Sequence, residues 1–118
     1  MSEQAEKDTE SRRQQLKAAT DRKQKMNEAE PWEPAEGEVL EGEYLGKRTT
    51  SGFGSETPVY YVEDWDGNVH SILGHTMMVA EMQQEDAEPG DLISVTYEGM
   101  QNADGAKGEF YAYTVVTA

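Results

Sequence analysis

Cysteine is absent from this chain of 118 residues, so no disulfide framework and no thiolate zinc site enters the reading. Long apolar runs are absent too. The longest, "TMMVA", is far too short to span a bilayer, and the first residues are polar, so neither a membrane helix nor a signal peptide is expected. Basic residues are scarce: 10 against 24 acids give a net charge of -14. Such a chain ordinarily repels polyanions and anionic membranes. Length allows one small domain. The expectation is a soluble cytoplasmic protein with no membrane partner.

Large apolar side chains are nearly missing from residues 1 to 36, where Met1, Leu16, Met26 and Trp32 are the whole supply. A segment that poor in apolar groups cannot offset its ordering entropy by burial, although "SRRQQLKAATDRKQKM" is rich in helix formers. It reads as a charged N-terminal arm, disordered or conditionally helical, that ends at the prolines of "EPWEPAEG".

From residue 37 to 118 short β-rich runs alternate with turn chemistry. "EVLEGEYLG" carries Gly42 as a bulge or bend signal. "TPVYYVEDW" and "NVHSIL" flank Asp66-Gly67, a two-residue hairpin signal. "GHTMMVAEMQQEDA" is helical in pattern, with Met78, Val79 and Met82 on one side, and "EPGD" ends it. "LISVTYEG" and "EFYAYTVVT" form a last hairpin. The order β-β-β-α-β-β predicts a mainly β, five-stranded OB-fold-like Greek-key barrel.

Pairing Trp65 with Asn68 across the turn sets the two faces of the aromatic hairpin. Val62, Val69 and Leu73, with Tyr60, form the inward set. Tyr61, Trp65 and His70 face outward, where aromatic rings can receive bases at roughly 1 to 3 kcal/mol each. A one-residue slip would exchange the faces. From residue 37 onward the bases are Lys47, Arg48 and Lys107. All three fall in the loops "KRTTSGFGSE" and "MQNADGAKG", which border the ligand face of an OB-fold. Phe53 adds a ring at the tip of the first loop.

"EGEVLEGEYLGKR", the aromatic hairpin, "PGDLISVTYEG" and "EFYAYTV" together resemble a family of small phage-type OB-fold single-stranded-DNA-binding proteins. The resemblance implies non-catalytic coating of single-stranded DNA in phage replication or recombination. Phe53, Tyr61, Trp65 and His70 would stack on bases, with Lys47, Arg48 and Lys107 on phosphates. The net charge supports a different expectation, an acidic protein-binding module, inhibitor or DNA mimic that meets a basic protein through its arm or acidic surface. A virion assembly component is a third.

Nothing points to an enzyme. The two histidines have no serine in a recognisable elbow, and "DWDGN" lacks the spacing of a calcium loop. His70 with Glu63 makes a hydrogen-bonded pair rather than a metal site. No metal and no cofactor is expected. Met77, Met78 and Met82 read as core.

Overall fold

In the computed structural model, residues 3–51, 56–102 and 109–118 are described. The protein is mainly β. Helix α1 (Glu3–Asn27) leads into a short strand β1 (Glu30–Pro31), followed by β2 (Val39–Thr50), β3 (Thr57–Asp64), β4 (Val69–Leu73), helix α2 (Thr76–Glu85), β5 (Leu92–Asn102) and β6 (Glu109–Thr117). Six strands make one mixed, open sheet in the order β1-β4-β3-β2-β5-β6. The run β5-β2-β3-β4 is a Greek key, in which the fourth strand returns to lie beside the first. The sheet does not close into the expected five-stranded barrel. At one edge β1 pairs in parallel with β4, and the Trp32 N–H donates to the Ser71 carbonyl at 2.8 Å. Pro31 suits that outermost position, where no further strand needs its missing N–H.

β2 is long enough to serve two partners. Its first half pairs with β5 and the stretch from Gly42 to Thr50 pairs with β3. Gly42 sits where both ladders meet, and a Cβ there would stand 1.8 Å from the Glu63 carbonyl oxygen. Close approach, not a bulge, therefore requires this glycine. The bulge lies further on, between Tyr44 and Gly46. Tyr44 and Leu45, beside it, are both buried.

The inner face carries the core, including Leu40, Tyr44, Val62, Ile72 and Val95, and α2 lays Met78 and Met82 across it. Val62, Val95 and Met78 have almost no exposed surface. Each contributes about 1.5 to 3 kcal/mol by burial. Trp32 and Val79 pack at its margin.

The hairpin register differs from expectation by one residue. Tyr60 pairs with Ile72 and Val62 with His70, and Asp64 closes the turn by donating its N–H to the Asn68 carbonyl at 2.9 Å. The loop is thus three residues, Trp65, Asp66 and Gly67, with Gly67 at φ +86°. This is the three-residue hairpin in which a left-handed residue follows a tight turn. The Asp64 carboxylate selects it, accepting the N–H groups of Asp66 at 3.0 Å and Asn68 at 2.9 Å through Oδ1. β3 keeps its expected faces, Tyr60 and Val62 inward and Tyr61 outward. β4 exchanges them: Ile72 is in the core, His70 shares the inner face, and Val69 and Leu73 turn outward.

Most of the arm is helical, as α1. Its Ala, Gln, Arg, Lys and Glu content favours helix, and it stops before Pro31 and Pro34. About 37 Å long, it is exposed through most of its length and docks only by its last turns. Met26 is buried and lies over Gly46 beside Pro89.

Candidate functional site

Docking α1 on the sheet creates a cleft of about 550 Å³ between its last turns and β2. Its floor is apolar, formed by Met26, Leu45, Gly46 and Pro89. Arg22 and Lys23 from the helix and Arg48 from the strand make its rim, Lys47 borders it from the far face of β2, and among the described residues no carboxylate lines it. In a chain with a net charge of -14, these cations beside an apolar trough give a locally positive surface that suits an anion with a flat apolar part.

The helix is held in place by three contacts of different kinds. Met26 fills the hollow over Gly46. The Lys25 Nζ lies 3.0 Å from Glu63 Oε2 and donates to Oε1 at 3.2 Å. The Arg48 Nη2 donates to the Lys23 carbonyl at 3.1 Å. The same guanidinium stands over the Tyr61 ring, 5.5 Å from its centroid, within cation–π range.

The expected site residues divide. Arg48 and Tyr61 come together on the outer face. Lys47 lines the cleft but pairs with Tyr60, so its side chain leaves the opposite face of the strand. Trp65 is two-thirds exposed at the hairpin tip. His70 is not an outward ring: its Nε2 meets Asp64 Oδ2 at 2.9 Å on the inner face. Glu63, expected beside His70, instead faces outward and holds Lys25. Phe53 and Lys107 lie outside the described residues.

That His70 hydrogen bond is the main cause holding the Asp64 carboxyl below its ordinary value, helped by the Asn68 and Asp66 N–H groups against the opposing effect of burial. Beneath the cleft, burial pushes the Tyr44 phenol up to about 12, with Tyr60 adding to the effect. Burial raises Tyr60 as well. Both hydroxyls stay protonated and able to donate at neutral pH.

Arg22, Lys23 and Met26 were hidden in the arm. Their signal was its charge distribution: seven of the ten bases fall in α1, and residues 11 to 27 hold six bases and one acid. No protein-family model matches the chain, and no curated protein or solved structure does. Among the described residues no helix is long and apolar enough to cross a membrane.

Proposed function

We propose that this protein binds single-stranded DNA without catalysis, gripping the strand in the cleft between α1 and β2. The observation that carries this reading is the rim of Arg22, Lys23 and Arg48, lined by no carboxylate among the described residues, in an otherwise acidic chain. Phosphates would meet Arg22, Lys23 and Arg48, and Lys47 at the edge of the cleft. The flat floor and the Tyr61 ring would take bases, each stack being worth roughly 1 to 3 kcal/mol whatever the base. The sheet is consistent with an OB-type barrel left open, its Greek key intact and one edge taken by β1. A role in phage DNA replication or recombination follows from the sequence resemblance and belongs to the same proposal.

Titrating a fluorescein-labelled oligothymidine at low salt tests it. Anisotropy is expected to rise with micromolar protein, to rise less with duplex of the same length, and to weaken in Arg48→Gln and Tyr61→Ala. No response at low salt would overturn the reading. The acidic protein-binding module would then take its place. It draws on Glu43 and Glu63, paired directly across β2 and β3, which give the outer face negative charge beside Tyr61.

A further inference from the structure

The cleft does not end at Lys47. Tyr44, Lys47 and Ala87 line both the cleft and a second hollow of about 370 Å³ that passes between the β2–β3 pair and α2. Glu56, Pro58 and Val79 are shared in turn with a third, of about 570 Å³, which reaches Gly74 and His75. The three form one groove around the side of the sheet, from the cationic rim to the first turn of α2. At its far end the His75 ring is stacked on Tyr111, with centroids 4.2 Å apart and planes 27° apart.

This stack is built to stay flat. Tyr97 backs Tyr111 at 6.3 Å, and Tyr113 backs Tyr97 at 5.4 Å, so a ladder of aromatic groups fixes the outermost pair. Tyr97 and Tyr113 are buried, whereas Tyr111 is 41 % exposed. Met100, the residue directly across from Tyr111 on β5, is exposed with it. Burial lowers the His75 pKa, which favours the neutral ring at physiological pH. Glu56 and Asp86 border the middle of the groove. A strand passing them would turn its phosphates toward Lys47 and solvent, and its bases inward.

We infer that His75 and Tyr111 form a second stacking platform for the same single strand that the cleft holds, an inference that rests on the single-strand-binding reading above. From Lys47 to β4 the groove crosses two strand spacings, about 10 Å. A dodecanucleotide is long enough to occupy the cleft and reach the platform.

The experiment uses the full chain and labelled dT12 at low salt. His75→Ala and Tyr111→Leu are expected to weaken binding by about 5-fold or more, the loss of one stacked base, while His75→Phe keeps most of the affinity. In parallel, dT12 carrying 5-iodouracil is photocrosslinked to the unaltered protein, and the adducts are expected at His75 or Tyr111 as well as at Tyr61. The crosslink decides even if a variant misfolds by circular dichroism. Unchanged affinity in both variants, or adducts confined to the cleft, would overturn the platform and leave the cleft standing. Failure of the unaltered protein to bind dT12 would remove the single-strand reading itself, and the platform with it.

Discussion

Asp64 governs the aromatic hairpin. Through Oδ1 it accepts two backbone N–H groups of the loop and through Oδ2 it meets His70, so one carboxylate sets turn length, β4 register and His70 orientation. Asp64→Asn is expected to cost about 1 to 2 kcal/mol, since charged acceptors are stronger than neutral ones. The folded carboxyl titrates below its ordinary value of 3.8. Its contribution is therefore fully present above that value and is lost as pH falls through the lower, folded one. Urea denaturation at pH 7 should show the full gap between variant and parent, and the gap should close in acid. A gap independent of pH would assign Asp64 only a steric role. Gly42 is the second residue whose identity the fold dictates. Gly42→Ala would drive a methyl into the Glu63 carbonyl, and a loss of more than about 3 kcal/mol is expected from the forced separation of β2 and β3. Both residues are visible in the sequence, but their roles were not. "EDWDGN" is compatible with a two- or a three-residue loop, and only the side-chain hydrogen bonds of Asp64 choose between them. A glycine in a strand signals a bend and a close approach equally well.

At the scale of elements, the strands and α2 were legible because each has its own periodicity and punctuation: β-branched and aromatic runs, "DG", "EPGD", and Met78 and Met82 four apart. β1 was not, because two residues held by a parallel edge carry no pattern. The docking of α1 was equally hidden, since it depends on Met26 alone among the helix's large apolar groups, and one residue makes no stripe. Beyond its last turns α1 has only the exposed Leu16 as a large apolar group, and such a helix depends on partners for stability. Met26→Ala is accordingly expected to free the whole element, not merely to leave a cavity. Hydrogen exchange should show protection lost across α1 while β2, β3 and β5 keep theirs, and dT12 affinity should fall because Arg22 and Lys23 leave the cleft. Retained protection in α1 would mean that the Lys25–Glu63 and Arg48–Lys23 contacts suffice to dock it. Of the candidate site, Lys47, Arg48 and Tyr61 were named from the sequence, the first two as loop residues, whereas they lie within β2, which runs on to Thr50. Their helical partners were missed because the arm's composition argues for mobility until a surface to dock on is known.

For the whole molecule the governing fact is segregation of charge. Six bases with one acid occupy residues 11 to 27, while the segment from residue 37 onward holds 15 acids and three bases. Repulsion of a polyanion by the acidic body acts at long range and is screened beyond about 8 Å at physiological ionic strength. Attraction in the cleft acts at contact and is screened far less. Affinity should therefore depend on which cations are removed, not on net charge. For single strands each phosphate neutralised contributes about 0.7 to the slope of log K against log salt concentration. Arg22→Gln with Lys23→Gln removes two rim cations and should flatten that slope by about 1.4. Arg12→Gln with Arg13→Gln changes net charge equally but lies on the exposed stretch of α1, away from the cleft, and should change the slope little. Salt titrations of dT12 binding for the two double variants separate the cases. Equal flattening would make binding a response to the overall field of α1 and would remove the cleft as the site, whereas the expected asymmetry ties recognition to Arg22 and Lys23 at its rim.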